Sequence, residues 1–466
     1  MNFSTLNSDT IVALATPQGI GAIGVIRLSG DKAISICESV FATKNLKKKN
    51  LENKASHTIH FGVIHDEAVI IDEVLVSLFK GPHSYTAENT VEISCHGSKF
   101  IQQQLIQLFI KLGARMANQG EFTLRAFLNG KLDLSQAEAV ADLIASNSAT
   151  SHQVAMQQMR GGFSDKIKLL RQNLIDFASL IELELDFSEE DVEFADRTDL
   201  KNLVNSIQRI VQRLIDSFEV GNVIKNGIPV AIVGKPNAGK STLLNVLLEE
   251  DRAIVSEIPG TTRDVIEDEL NIDGVLFRII DTAGIRETSD IIESKGVIKT
   301  YEQIKLSSIA VYLVDVLKLS ATELKKTVEE LKPHLNNSQL VLVANKIDKE
   351  SIDHIRQCFS DFPEMLYISA KERIGIDELK KHLVTLFDKQ TVNMTETIVT
   401  NVRHVEALRN TNEALLKVLE GLNNNVSGDF LAMDIRQALH YLGTITGEIS
   451  SDDLLTNIFS RFCIGK

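Results

Sequence analysis

The chain has no apolar run near the roughly 18 residues a membrane-spanning helix needs, so its sequence does not predict a membrane protein. Cysteine is sparse: Cys37, Cys95, Cys358 and Cys463 lie far apart with no CxxC pair, which suits reduced thiols rather than a disulfide or zinc framework. Positive charge is in short supply, with 49 Lys and Arg against 63 Asp and Glu and a net charge of −14. Such a surface binds nucleic-acid phosphate poorly in general, because that affinity comes from Lys and Arg. Any RNA contact is expected to be local or supplied by a partner. Proline is rare at 7 residues and the hydrophobic fraction is 44%, which fits a packed globular chain rather than a disordered one. The apolar stretch Ile11–Ile26 follows Asp9 rather than basic residues and is broken by Pro17, Gln18 and glycines, so no secretory leader is expected and the location expected is cytoplasmic. A membrane protein, a secreted scaffold and a basic DNA-binding domain are all disfavoured.

What is present is length and alternation. At 466 residues the chain exceeds one ordinary domain of ~100–200 residues. Short β-branched runs at Ala22–Leu28, Thr58–Ile64, Val74–Phe79 and Val91–Cys95, with a helical stretch at Lys99–Leu112, predict an α+β domain over 1–130. From Leu132 to Gly221 the pattern is helical. Leu200, Leu203, Ile207, Ile210, Leu214 and Phe218 recur at spacings of three and four, with Asp199 placed to cap the helix and Gly221 to stop it. Strands and helices then alternate from Ile228 to Phe387, predicting a parallel sheet with helices on both faces. Helical segments return at Val402–Leu422, Phe430–Leu442 and Asp452–Phe462. The expected fold class is multidomain α/β and α+β. An α/β module over 226–388 is inserted between two parts of a helical domain, 131–225 and 389–466, since domain termini commonly lie close together. The acidic stretch Glu182–Asp196 and the basic run Lys47–Lys49 read as solvated surface. His57, His60 and His65 read as an exposed sheet face rather than a metal site.

The segment Gly234–Ser241 (GKPNAGKS) matches G-x-x-x-x-G-K-[ST] between the strand-like Pro229–Val233 and the helix-like Thr242–Leu248, the context of a phosphate-binding loop. There Asn237, Ala238, Gly239, Lys240, Ser241 and Thr242 would face the phosphates, with Lys240 on the β/γ oxygens and the Ser241 hydroxyl on magnesium. Asp281, Thr282, Ala283 and Gly284 follow the apolar run Leu276–Ile280; Asp281 suits the magnesium shell and the Gly284 amide a γ-phosphate sensor. Asn345, Lys346 and Asp348 follow Leu340–Ala344, and a carboxylate at Asp348 can accept from both guanine donors, a pair adenine lacks. Ser369, Ala370 and Lys371 follow Met365–Ile368 and suit a loop whose backbone meets guanine O6. Thr261 and Thr262 lie between the first and second motifs, where a switch threonine closes on magnesium. The order and spacing are those of a translation-factor-like GTPase. The glutamine that orients water in Ras-like proteins is replaced by Ile285, so Arg286, Glu287 or Glu293 is a candidate for that task.

Several further segments carry a closer resemblance: the phosphate loop with Asn237, the run Ile258–Asp264 (IPGTTRD), Ala15–Pro17, the stretch from Ala126 to Glu138, Ile445–Asp453, and the terminal Phe462–Lys466 (FCIGK). Together with the inserted arrangement, they make the chain resemble the MnmE (TrmE) family of tRNA-modification GTPases over essentially its whole length. The resemblance implies an N-terminal folate-binding and dimerising domain, a helical domain and an inserted GTPase domain. It implies a homodimer that, with the flavoprotein MnmG, adds an aminomethyl-type group at C5 of the tRNA wobble uridine, using a folate-borne one-carbon unit. Asn237 and backbone oxygens of Ser256, Ile258 and Thr261 would hold potassium, and Ser241 and Thr262 magnesium. Glu257, Pro259 and Gly260 would complete the nucleotide loop. Glu293 would orient the water, Arg27, Glu92, Lys131 and Lys466 would line the folate pocket, and Cys463 would be catalytic beside it. Pro259 stands where relatives often carry alanine, and Ser256 where many carry threonine. Without the resemblance, Arg27, Glu92, Lys131 and Lys466 read as surface or salt-bridge residues. The competing reading is a ribosome-assembly GTPase bound to rRNA, which the net charge and the lack of a KH-type or basic tail disfavour. A GTP switch scaffold without chemistry in its N-terminal domain is a third.

Overall fold

The computed structural model describes residues 9–186, 197–251, 268–280, 301–335, 338–391, 397–424 and 426–465. The chain divides into two compact units: Met1–Ala141 with Gln158–Asn202 and Glu413–Lys466, and Asp142–Gln157 with Leu203–Asn412.

The first unit holds a seven-stranded sheet of β1 (Ile11–Leu14), β2 (Ile23–Ser29), β3 (Phe41–Ala42), β4 (Thr58–Asp66), β5 (Val69–Phe79), β6 (Thr90–His96) and β7 (Arg115–Met116), ordered β3-β4-β5-β6-β2-β1-β7. Pairing is antiparallel except between β1 and β7. Successive strand residues point to opposite faces, so Ile26 and Leu28 of β2 and Val74, Val76 and Leu78 of β5 enter one core with the helices Ala33–Val40 and Lys99–Lys111. Arg27 of β2 and Glu92 of β6 are register partners on the opposite face. In the same unit the helices Gly162–Asp186 and Gly428–Thr446 pack together and share the Glu182–Arg436 ion pair at 2.6 Å. The helix Asp452–Phe459 starts at Ser451, whose hydroxyl accepts from the Leu454 amide, and buries Leu455 and Phe459 against Leu124 and Leu134.

A buried ion network ties the N-terminal segment to the helix Glu121–Leu128. Arg125 is fully buried and pairs with Asp9 at 2.5 Å, Glu121 at 3.0 Å and Glu88 at 3.2 Å. Arg115 also reaches Glu121 and Asp9, at 2.6 and 2.7 Å. Burial raises the Glu121 carboxyl, but hydrogen bonds from Arg115, the Asn118 amide and Arg125 outweigh it and hold the group below the ordinary carboxylate value.

The second unit holds a six-stranded sheet of β8 (Ile228–Val233), β9 (Asp268–Ile272), β10 (Val275–Ile279), β11 (Ile309–Asp315), β12 (Gln339–Asn345) and β13 (Leu366–Ile368), ordered β13-β12-β11-β8-β10-β9. It is parallel except for the antiparallel β9–β10 pair at one edge. All seven residues of β11 are buried, as expected for a central strand covered on both faces. Ile228, Val230 and Ile232 pack with the helices Lys240–Asp251 and Ile376–Thr391, while Ala231 and Val233 face Leu324, Leu331 and Ile355 of the helices Ala321–Leu331 and Ile352–Cys358.

Two local expectations are corrected. The long helix Arg197–Asn226 runs past Gly221, which lies inside it. A Cβ there would sit 2.0 Å from the Val399 carbonyl oxygen, so glycine serves close packing; Gly227, at φ 81°, follows the true end. Asp199 stands in the first turn rather than at the cap, where its charge favours the positive helix end.

Removing Arg125 strips Glu88 of its arginine partner and leaves the buried Glu121 with Arg115 alone. Arg125→Ala is expected to lower unfolding free energy by about 3–5 kcal/mol, read as a lower urea midpoint; a midpoint equal to the parent's would contradict the assignment. Because the folded-state Glu121 carboxyl lies below its ordinary value of 4.5, its stabilisation is present above that pH and is lost as pH falls through the depressed value.

Candidate nucleotide site and a second polar site

The carboxyl ends of β8, β11, β12 and β13 gather the nucleotide motifs at one edge of the sheet, where parallel α/β sheets bind ligands. The loop after β8 needs its glycines. Gly234 sits at φ 151°, and a Cβ there would lie 2.4 Å from the Leu313 carbonyl oxygen. Gly239 sits at φ 100°, with the Asn345 carboxamide nitrogen 2.2 Å from where its Cβ would be. Asn237 itself adopts φ 61°, a region that asparagine tolerates better than most residues. The helix Lys240–Asp251 opens directly from this loop, so its N-terminal amides and dipole favour an anion there. Lys240 Nζ donates to the carbonyls of Gly234 at 2.8 Å and Lys235 at 3.1 Å, and burial lowers its pKa. Ser241 is half-buried in the first turn, and Thr242 is exposed.

Asn345 and Lys346 bind the loops into one assembly. The buried Asn345 carboxamide donates to the Ala238 carbonyl at 2.8 Å and accepts from the Ala370 amide at 3.0 Å. Lys346, at φ 72°, donates from Nζ to the Asn237 carbonyl at 2.9 Å and to Asp315 at 2.7 Å. Asp348 Oδ1 accepts from the Ser369 hydroxyl at 2.7 Å; that bond, with help from Lys349, lowers the Asp348 carboxyl pKa. A carboxylate ionised well below neutral pH is the acceptor form that guanine's two donors require. Lys371 is exposed beside Glu372. The structure thus unites Asn237, Ala238, Gly239, Lys240, Ser241, Asn345, Lys346, Asp348, Ser369 and Ala370. Ser256, Glu257, Ile258, Pro259, Gly260, Thr261, Thr262, Asp281, Thr282, Ala283, Gly284, Ile285, Arg286, Glu287 and Glu293 lie outside the described residues. Asp315 escaped the motif search, although an apolar strand run ending in an acid, Ile309–Asp315 (IAVYLVD), marks such a strand end.

In the first unit Arg27 and Glu92 form a close pair, with Nη2 to Oε1 at 2.7 Å and Nε to Oε1 at 2.9 Å. The guanidinium also lies 5.3 Å from the Tyr85 ring centre and 5.6 Å from that of Phe122. Its Nη1 approaches the Gly465 carbonyl at 3.5 Å, although the two residues are 438 positions apart. The C-terminal segment is seated by the Gln119–Ile464 bridge and by the Gly120 amide donating to the Cys463 carbonyl. Phe462 is buried against Phe459, and a Cβ on Gly465 would collide with the Leu14 carbonyl oxygen. The tail therefore packs as part of the fold. Cys463 is exposed, and Lys131 is exposed in the turn after the helix Glu121–Leu128. Lys466 lies outside the described residues.

A parallel sheet with a glycine-bounded phosphate loop, and an Asn-Lys-x-Asp turn bonded to that loop, define a P-loop GTPase of the guanine-nucleotide-binding class. Two family models together match nearly the whole chain: the GTP-binding protein TrmE N-terminus over residues 10–131 and the MnmE helical domain over 134–463. The tRNA modification GTPase MnmE of Cytophaga hutchinsonii is 59% identical over 99% of this chain and 99% of its own length. That of Flavobacterium psychrophilum is 57% identical over 98% and 99%. Among solved structures, a single-residue variant of Aquifex aeolicus Era bound to GDP and aluminium fluoride aligns at 25% identity over 41% of this chain and 67% of its own, with a TM-score of 0.25. The chain belongs to the MnmE family of tRNA modification GTPases.

Asn345→Ala removes a donor and an acceptor that bridge two loops, each worth about 0.5–1.5 kcal/mol. GDP affinity measured by titration is expected to fall roughly tenfold or more, and parent-like affinity would show that the bridge does not support binding.

Proposed function

We propose that this GTPase is a cytoplasmic homodimer that works with the flavoprotein MnmG, adding an aminomethyl-type group at C5 of the tRNA wobble uridine from a folate-borne one-carbon unit. Family membership supports the tRNA and partner parts of this reading. The observation that carries the folate part is the meeting of the chain's two ends, where Arg27, Glu92 and the Cys463–Gly465 segment converge beside Tyr85. A folate presents a pterin of hydrogen-bond donors and acceptors and a carboxylate tail. An arginine–glutamate pair beside aromatic rings is chemically suited to it, with Lys131 and Lys466 as further cations. When bound, the folate would supply the one-carbon unit, while these residues bind and orient it. Cys463 is exposed at the rim of this segment and is assigned a catalytic role there.

At the nucleotide, Ser241 and Thr262 are assigned to magnesium, which would neutralise phosphate charge. Asn237 is assigned to potassium together with backbone oxygens of Ser256, Ile258 and Thr261. Asn237 suits this role: its backbone carbonyl is engaged by Lys346, and its carboxamide oxygen is a neutral donor of the kind potassium prefers. Glu293 is assigned to orient the attacking water, since Ile285 cannot. The domain reading remains a folate-type domain over 1–130, a helical domain over 131–225 and 389–466, and a GTPase domain over 226–388.

Mass spectrometry of wobble nucleosides from a deletion strain tests the pathway. Complementation with the parent should restore the modified uridine, whereas Cys463→Ser should restore GTP hydrolysis without it. Normal wobble uridine in the deletion strain, with immature ribosomal subunits accumulating, would instead favour the rRNA reading.

Turnover in potassium against sodium at equal ionic strength tests the cation assignment, because a cage sized for potassium fits the smaller ion badly. Hydrolysis should be much faster in potassium and should lose that advantage in Asn237→Ala. Equal rates in both salts would remove the cation from the mechanism.

A further inference from the structure

The helix that opens at the phosphate loop ends in Glu249, Glu250 and Asp251. Three carboxylates at the negative end of a helix oppose its dipole and raise its energy unless cations meet them. Two residues that follow the base-reading segment do so. Arg373 donates from Nη1 to Glu250 Oε1 at 3.1 Å and from Nη2 to Glu249. Lys380, with only 12% of its side chain exposed, places Nζ 2.6 Å from both Glu250 and Asp251.

The segment carrying Arg373 is itself tightly closed. Ser369 and Ile374 exchange two backbone hydrogen bonds at 3.0 and 3.1 Å, and the Ser369 hydroxyl accepts from the Glu372 amide at 3.2 Å. Arg373 holds φ 57°, a conformation disfavoured for a residue with a long side chain. Its guanidinium spans two acids on the neighbouring helix from that position. On the other side, the same segment is bonded to Asn345 and Asp348. The twelve-residue helix, about 18 Å long, therefore meets the phosphate loop at one end and Arg373 and Lys380, which follow the base-reading segment, at the other.

We propose that Arg373 and Lys380 are positioning residues for guanine recognition: by clamping the acidic end of the phosphate-binding helix, they set where the Ser369–Lys371 segment stands relative to the phosphate loop. The inference rests on the reading that Asp348 and this segment recognise the base. Both cations are engaged by the acids of the helix, so each acts through the segment's position.

The test measures GDP, xanthosine diphosphate and ADP affinity of the full chain, the last two followed by competition, for the parent, Arg373→Glu, Arg373→Glu combined with Glu249→Arg, and Asp348→Asn. Displacing the segment should weaken GDP about fivefold, the scale of an exposed ion-pair cluster, and ADP less than twofold. The double variant should recover most of the GDP loss with an unchanged thermal midpoint. Equal losses for both nucleotides, or unchanged GDP affinity, would overturn the clamp. If Asp348→Asn shifts preference toward xanthosine nucleotide while Arg373→Glu behaves as the parent, the clamp alone fails. If Asp348→Asn leaves base preference intact, the base-reading assignment fails and the clamp with it.

Discussion

A buried polar group must find partners, and in the nucleotide-binding unit that requirement falls on one carboxamide. Asn345 ends β12 and is buried, so its polar atoms need protein partners, and both are used between loops. One bond fixes the phosphate loop, and the other fixes the segment after β13. Lys346 repeats the logic with charge, joining the Asn237 carbonyl to the buried Asp315. The strand order brings these groups together, because β8, β11 and β12 are adjacent and parallel and their carboxyl ends share an edge. A site organised in this way spends little binding energy on ordering its loops.

The other unit solves a related problem with ions. Arg125 has no exposed surface, so three carboxylates compensate it, two of them shared with Arg115, and this network anchors the segment at Asp9. The end of the chain is anchored beside it, through Phe462, the Gln119–Ile464 bridge and Gly465 against Leu14. Arg27 lies where the two meet. Its partner Glu92 comes from strand register, but its approach to Gly465 depends on the tail's route, which no local pattern encodes.

Much of the architecture was legible in the residues. Apolar runs located several strands to within a few residues, but β1, β3, β7, β9 and β11 were not singled out. β5 begins at Val69, earlier than the run Val74–Phe79 shows, because Asp72 and Glu73 interrupt its apolar pattern. The nucleotide loops were legible because each combines a strand end with residue types whose chemistry is narrow. Gly221 was misleading: glycine inside a helix resembles a stop signal until the backbone of Val399 is seen against it. The Arg125 network was hidden because its carboxylates come from three separate segments, with only the Glu121–Arg125 spacing of four visible locally. Arg373 was hidden for the same reason, since its acids lie more than a hundred residues earlier.

The central claim is that Asn345 by itself holds the phosphate loop and the segment after β13 together. Hydrogen exchange at the Ala370 amide, which donates to the Asn345 carboxamide oxygen, reads that bond directly. In the nucleotide-free parent this amide should exchange slowly, and in Asn345→Ala at least about tenfold faster, in proportion to the lost bond. Equally fast exchange in both proteins would mean that the loops are assembled by the ligand, and would contradict the account.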